Sequence, residues 1–151
     1  EGAVDTVLFC VQPGAGDSLQ FMKAGIAEIP DVVCVTKADM GPVVRRTVID
    51  AKGALALNER TEDWRPPVLS ASAETGEGVD DLIADLDRHW EWLGAAGRLA
   101  RRREDQARGW LEDMVRDRWG REGLKRVAPL VLAEGRSPFA EMRRLGERLS
   151  G

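Results

Sequence analysis

Three polar side chains, Thr36, Lys37 and Asp39, follow a short apolar run at residues 32–35. A short apolar run of this kind is typical of a buried parallel strand, and ligands of open α/β sheets bind at the carboxyl ends of the strands. The carboxylate of Asp39 can accept hydrogen bonds from two adjacent donors, and guanine presents such a pair in its ring N1–H and its exocyclic amine. The aliphatic stem of Lys37 could cover a flat base while its ammonium group stays in water. The tetrad that begins at Thr36 therefore predicts a base-binding loop.

A second loop, Ser72-Ala73-Glu74, follows another short apolar stretch and leads through a glycine-rich turn into a helix. Small side chains let a backbone approach a ligand closely, so a backbone N–H of this loop could meet the guanine O6. About 36 residues separate the two loops, the length of one helix plus one strand. Together the loops resemble the Asn-Lys-x-Asp and Ser-Ala-x motifs with which GTPases read guanine. Thr36 stands where the usual motif has asparagine.

The elements that position these loops alternate between strand and helix. The pattern predicts strands at Val4–Val11, Val32–Val35 and Pro67–Ser70, and helices over residues 19–29, 44–55 and 79–93. The second of these helices is entered at Gly41-Pro42. This alternation implies parallel strands joined by right-handed crossovers. The first predicted domain, residues 1–97, is therefore of the α/β class.

Gly94 and Gly97 end this alternation, and residues 98–151 read as an α-helical arm. A long amphipathic helix is predicted over residues 99–119, and Pro129 should kink or break a second apolar stretch at 124–132. Ser137 and Pro138 have the types expected at the start of a last helix, which reaches Leu149. The helices need an apolar partner surface, which is either their own monomer or a second copy of the chain. We expect homodimerisation through the face that carries Trp110, Leu111, Met114 and Trp119.

The loop Gln12–Ser18 lies between a predicted strand and a predicted helix, yet it does not fit a phosphate-binding loop. Leu19 occupies the third glycine position of the dinucleotide pattern, and Gly-Lys-Ser/Thr occurs nowhere in the chain. Asp17 would place negative charge where a phosphate binds, and a helix cap formed with Gln20 is the simpler interpretation.

Charge is distributed unevenly along the 151 residues, with a net −9 in residues 1–97 and +5 in residues 98–151. The basic half has apolar residues at helical spacing, which favours a solvated helix face over a nucleic-acid-binding patch. Cys10 and Cys34 lie in apolar strand runs, and this predicts two buried free thiols in a reducing compartment. No signal peptide and no apolar run near 18 residues occur, so we expect a cytoplasmic protein that binds neither nucleic acid nor membrane.

Three segments, Pro13–Gln20, Lys23–Ile26 and Val35–Asp39, resemble in their order the methylmalonyl-CoA mutase-associated GTPases. This is the MeaB/ArgK family, once described as LAO/AO transport ATPases, and the Ser72-Ala73 loop matches it as well. The resemblance implies the carboxyl-terminal half of a P-loop G domain of the SIMIBI class, followed by a helical dimerisation arm. It further implies GTP and GDP as ligands, with Mg²⁺ ligands expected upstream of residue 1.

By the same resemblance, the implied function is that of a GTPase chaperone. It would couple GTP hydrolysis to the loading of adenosylcobalamin onto a cobalamin-dependent acyl-CoA mutase and to the protection of that mutase. The family's phosphate loop and switches would precede Glu1. We therefore expect a longer native protein, in which residues 1–151 alone do not hydrolyse GTP.

The sequence leaves three alternatives open. A related metallochaperone GTPase, such as a nickel-insertion protein, would need a Cys/His site that one histidine and two cysteines hardly supply. Asp87-Arg88-His89 partly matches the signature of a cobalamin-binding module, but this segment lies in a predicted helix, where we expect His89 to pack on the sheet or to be half exposed. A non-hydrolysing interaction fragment is the third alternative.

Overall fold

A computed structural model describes residues 2–14, 28–57, 63–132 and 137–149 of the chain. The chain forms two compact units. The first unit contains Thr6–Ala96, and the second combines Gly2–Asp5 with Gly97–Gly151. In the described part of the chain no helix has the length and apolar character required to cross a membrane.

The first unit is built on a parallel sheet of three strands, β1 (Leu8–Val11), β2 (Val32–Thr36) and β3 (Val68–Ala71). Their order is β1-β2-β3, with both pairs parallel. β2 is therefore the central strand of the described sheet, and its Val32, Val33 and Val35 are completely buried. Burial on both faces explains why this strand is a continuous apolar run and does not alternate with polar residues.

Two helices cover the sheet in the described part of this unit. α1 (Pro42–Ala56) begins with proline after Gly41, as the sequence predicts, and it ends one residue before Leu57. Its residues Ala51 and Leu55 pack with side chains of all three strands: Phe9, Val11, Val33 and Val68. α2 (Val79–Gly94) buries Asp85, His89 and Leu93.

The predicted parallel α/β fold is confirmed, with differences at the strand ends. β1 begins at Leu8 and not at Val4, because residues 2–5 belong to the helical unit. There the carboxylate of Asp5 accepts two hydrogen bonds from Arg103, and the carbonyl of Val4 accepts one from Gln106. β3 is shifted by one residue from the predicted Pro67–Ser70. Most of the helix predicted over 19–29, and part of the loop Gln12–Ser18, lie outside the described residues.

The second unit consists of α3 (Arg98–Val127) and α4 (Pro138–Leu149). α3 is interrupted at Gly120, whose φ of 65° and ψ of −166° are not helical. Ser137 caps α4, since its hydroxyl accepts a hydrogen bond of 3.2 Å from the N–H of Ala140, as the sequence predicts. α3 ends before Pro129, so the proline lies in the connection between the helices.

Apolar side chains of both helices form the core of this second unit. The buried residues are Leu111, Val115, Val127, Leu145 and Leu149, and Met114 and Trp119 pack against them. The helix face on which we expected homodimerisation is thus filled largely from within the chain, by α4. Trp110, in contrast, keeps 44% of its surface exposed.

The prediction of two buried cysteines is wrong for one of them. Cys34 on the central strand is buried, and burial raises the pKa of its thiol. Cys10 is exposed. It lies with Leu8 on one side of β1, whereas Phe9 and Val11 on the opposite side pack against the α1 cluster.

Candidate functional site

The two predicted loops emerge side by side from the carboxyl ends of β2 and β3. Thr36 is the last residue of β2 and pairs in register with Ala71, the last residue of β3. The hydroxyl of Thr36 donates a hydrogen bond of 3.2 Å to the carbonyl of Val11 on the other side, in β1. Thr36 therefore joins the first loop to β1. Because β2 and β3 are adjacent in the sheet, the second loop lies next to the first.

The first loop turns sharply at Lys37, which has a φ of 57° and a ψ of 51°. A non-glycine residue in this left-handed region is uncommon, and such residues concentrate at functional sites. A one-turn 3-10 helix, Ala38–Met40, follows, and the N–H of Met40 donates 3.0 Å to the carbonyl of Lys37. The side chains of Lys37 and Asp39 are both exposed at this edge of the sheet.

Asp39 and Ser72, which are 33 residues apart in sequence, form a hydrogen bond of 2.5 Å. The Ser72 hydroxyl donates to a carboxylate oxygen of Asp39, and Ser72 itself is only 1% exposed. This bond, followed by a bond to the backbone N–H of Asp39 and by the charge of Lys37, lowers the pKa of Asp39 below its usual value. Asp39 is therefore a carboxylate that already accepts two hydrogen bonds, and its remaining lone pairs can accept two further donors.

The second loop is closed by hydrogen bonds between its own ends. The N–H of Ser72 donates 2.9 Å to the carbonyl of Glu77, and the N–H of Gly76 donates 2.9 Å to the carbonyl of Ser72. Gly78 completes the turn with a φ of 72° and is the residue before α2. Ala73 and Glu74 are exposed at the tip of this loop. The structure thus brings all six predicted site residues to one edge, with Asp39 and Ser72 in direct contact.

Sequence reasoning missed the roles of Thr75 and Gly78 in shaping this loop. The hydroxyl of Ser72 accepts a hydrogen bond of 3.3 Å from the N–H of Thr75, and that of Thr75 accepts one of 3.3 Å from the N–H of Glu77. The sequence does contain a signal for these roles. A hydroxyl residue, Thr75, and a glycine, Gly78, stand directly before a helix start, and both residue types favour tight turns.

His89 belongs to a separate cluster at the opposite end of the sheet. It is fully buried, one of its ring nitrogens forms a hydrogen bond of 2.9 Å with the Thr6 hydroxyl, and the other lies 3.4 Å from the carboxylate of Asp31. The Trp64 indole donates 2.8 Å to the carbonyl of Asp31, and its ring contacts His89. His89 is therefore buried, which excludes the half-exposed alternative, and its contacts join α2 to the segments that precede β1 and β2.

Other features of the described residues do not coincide with the two loops. A cavity of about 490 Å³ lies between the end of α1 and the segment that enters β3, lined by Lys52, Leu55, Ala56 and residues 65–68. It is at the amino end of β3, whereas the loops follow the carboxyl ends. Within the described ranges, no three Cys, His, Asp or Glu side chains gather closely enough to hold a metal ion.

Comparison with known proteins identifies a family for this chain. The profile of the family described as "Methylmalonyl Co-A mutase-associated GTPase MeaB" matches residues 1–125. A protein of Caulobacter vibrioides described as "Putative GTPase" is 42% identical over 132 residues, which are 86% of this chain and 40% of that protein. The mouse protein "Methylmalonic aciduria type A homolog, mitochondrial" is 33% identical over 117 residues, covering 76% of this chain and 28% of that protein.

A solved structure shows the same fold. The crystal structure of an "LAO/AO transport system kinase" superposes with a TM-score of 0.55 at 25% identity, over 84% of this chain and 46% of that one. The chain spans less than half of the length of each of these three proteins.

Proposed function

Because the chain belongs to the family of methylmalonyl-CoA mutase-associated GTPases, we propose that it provides the guanine-reading part of a GTPase that serves a cobalamin-dependent acyl-CoA mutase. The observation that carries this proposal is the hydrogen bond between Ser72 and Asp39. It joins the two loops that resemble guanine-binding motifs and holds an exposed carboxylate at the carboxyl edge of a parallel sheet, where ligands of such sheets bind.

The residues at this edge have the chemistry that guanine recognition requires. The carboxylate of Asp39 accepts from the N1–H and the exocyclic amine, while the stem of Lys37 covers one face of the base. A backbone N–H of the Ser72–Glu74 loop donates to the guanine O6. Thr36 holds the first loop to β1 through its bond to Val11. Titration calorimetry of the full-length protein with GDP, ADP and XDP tests this assignment, and we expect GDP to bind most tightly.

GTP hydrolysis and Mg²⁺ binding are proposals for the full-length protein. The family name and the names of the relatives support GTP hydrolysis, and Mg²⁺ is proposed because phosphoryl transfer from a nucleotide ordinarily uses this ion. Phosphoryl transfer needs backbone amides, a lysine and magnesium around the β- and γ-phosphates. No described cluster of carboxylates in this chain offers a magnesium site, so we assign no residue of the chain to that step.

We propose that the nucleotide state controls the loading of adenosylcobalamin onto the mutase and the protection of the loaded enzyme. The support is the association with methylmalonyl-CoA mutase in the family name and the name of the mouse relative. A transfer assay with purified mutase tests it. We expect GTP, and not ADP, to change the rate of adenosylcobalamin transfer. Equal rates with and without GTP would contradict the coupling.

The purified chain of residues 1–151 should not hydrolyse GTP above the buffer rate. The chain contains no Gly-Lys-Ser/Thr sequence with which to hold the β- and γ-phosphates. Phosphate release is the measurement, with the Asp39→Asn variant as the control for contaminating GTPases. Turnover that disappears in this variant would refute the prediction.

Homodimerisation through α3 remains a proposal. The structure reduces the set of side chains that could contact a second copy of the chain. Met114 packs in the core of its own unit, so only a more exposed side chain can be replaced without disturbing the fold. We expect Trp110→Asp to convert a dimer into a folded monomer, because burying a carboxylate in an apolar contact is costly.

Light scattering at tens of micromolar protein measures this change of mass. Gly109→Asp is the matched control, since it adds the same charge at an exposed neighbouring position where a side chain would meet nothing within 4 Å. A wild-type protein that is already monomeric, or a Trp110→Asp variant that stays dimeric, would contradict the proposal.

A further inference from the structure

We propose that Thr75 and Gly78 are positioning residues, which hold the loop of residues 72–78 so that the hydroxyl proton of Ser72 points only toward the carboxylate of Asp39. The consequence for base recognition rests on the proposed function, but the positioning itself does not.

The direction of the Ser72 hydroxyl follows from its two partners. A carboxylate accepts hydrogen bonds only, so the single proton of the hydroxyl must lie on the 2.5 Å contact to Asp39. The N–H of Thr75, at 3.3 Å, occupies a lone pair of the same oxygen and supplies no competing acceptor. Ser72 is 1% exposed, so bulk water does not compete for the proton. The hydroxyl is therefore held in one orientation before any ligand binds.

The position of the Thr75 amide depends in turn on the Thr75 side chain. The Thr75 hydroxyl accepts the N–H of Glu77 at 3.3 Å, and the carbonyl of Glu77 accepts the N–H of Ser72 at 2.9 Å. These bonds form a closed chain of contacts from Ser72 through Thr75 and Glu77 back to Ser72. Loss of the Thr75 hydroxyl would release the N–H of Glu77 and loosen the turn that aims the Thr75 amide.

Gly78 is required for a different reason, which is space. A Cβ on Gly78 would lie 2.1 Å from the carbonyl oxygen of Ser70, a backbone atom of β3 that cannot move without disturbing the sheet. The residue also has a φ of 72°, which L side chains rarely adopt. Gly76 has a similar φ of 78°, but a Cβ there would meet nothing within 4 Å. Comparing Gly76→Ala with Gly78→Ala therefore separates the effect of a positive φ from the effect of the close approach to Ser70.

The first test is the titration of the Asp39 carboxyl group, followed by carbon-13 NMR in the purified protein without nucleotide. A hydrogen bond to the charged form lowers a carboxyl pKa, so losing the Ser72 bond must raise it. We expect the midpoint to rise in Ser72→Ala, in Thr75→Val and in Gly78→Ala. Thr75→Ser, which keeps the hydroxyl, and Gly76→Ala should retain a midpoint close to that of the wild type.

Two results would overturn the positioning role. One is a Thr75→Val midpoint equal to the wild-type value while Ser72→Ala shifts it. The other is a Ser72→Ala midpoint that does not move, which would mean that the Ser72 bond does not set the state of Asp39. Thr75→Val is nearly isosteric, so the test does not depend on the folding of Gly78→Ala.

The second test measures the preference of the full-length protein for GDP over IDP, which lacks the exocyclic amine. A misaligned carboxylate loses the second hydrogen bond, so Thr75→Val should reduce this preference roughly 3- to 10-fold. A general loss of structure would weaken both nucleotides equally, and Thr75→Ser should restore the preference. A shifted Asp39 midpoint in Thr75→Val with an unchanged preference for GDP over IDP would support the positioning role of the loop and refute the guanine-reading role. An unshifted Asp39 midpoint in Thr75→Val would refute the positioning role alone and leave the guanine-reading role standing.

Discussion

Replacing Asp39 by asparagine should weaken GDP binding by the full-length protein by roughly 100-fold or more and reverse its preference in favour of XDP. Asparagine presents one donor and one acceptor where aspartate presents two acceptors. This pattern suits the N1–H and O2 of xanthine, whereas it leaves one guanine donor facing another donor. The Ser72 hydroxyl, which donates to Asp39 over 2.5 Å, can still donate to the amide oxygen of asparagine, so the loop itself should survive.

Calorimetry with GDP and XDP measures both affinities on the same preparation. Asp87→Asn provides a matched control, because Asp87 is an exposed carboxylate on α2, away from the two loops. We expect this control to bind GDP with wild-type affinity. An Asp39→Asn protein with unchanged GDP affinity would show that the carboxylate does not contact the base, and the proposed site would be wrong.

The Leu111→Ala variant should lose about 2–5 kcal/mol of the free energy of unfolding of the helical unit. Leu111 is completely buried in the cluster that α3 forms with Leu145 and Leu149 of α4. Truncation removes apolar contacts on both helices and leaves a cavity, because a well-packed core relaxes only in part. A two-helix unit has a small core, so this change is a large fraction of its stability.

Denaturant titration followed by far-ultraviolet circular dichroism measures this loss. Val131→Ala is the control in the same unit, since Val131 is 68% exposed and its truncation should change the stability by less than about 0.5 kcal/mol. The Asp39 titration should stay at its wild-type midpoint in both variants, because the site lies in the other unit. Equal unfolding midpoints for Leu111→Ala and the wild type would show that α3 and α4 do not share this core.

Several features of this protein can be predicted from the sequence because they depend on neighbours along the chain. The β-branched run of β2 followed by Lys37 and Asp39 identifies a buried strand and a polar loop at its end. Gly41 before Pro42 and Ser137 before Pro138 locate two helix starts, because proline and a capping side chain act within one helical turn. The order of strands and helices then implies a parallel sheet, since a helix between two strands returns the chain to the end of the sheet at which the first strand began. The family resemblance of the two loops requires no coordinates.

Other features are decided only by the tertiary structure, because they depend on which surfaces meet. The pairing of β2 with β3 brings Ser72 into contact with Asp39 across 33 residues of sequence, and no local sequence pattern predicts this contact. The close approach of Gly78 to the Ser70 carbonyl likewise exists only once β3 and α2 are assembled.

The tertiary structure also decides which face of a helix or strand is covered by another element. The apolar pattern of α3 shows that Leu111 needs a partner, but it does not show whether that partner is α4 or a second copy. The apolar run of β1 likewise cannot tell which side of the strand is covered, and Cys10 lies on the exposed side. Periodicity reports that a face is apolar, whereas the choice of its partner is made by the packing of elements distant in sequence.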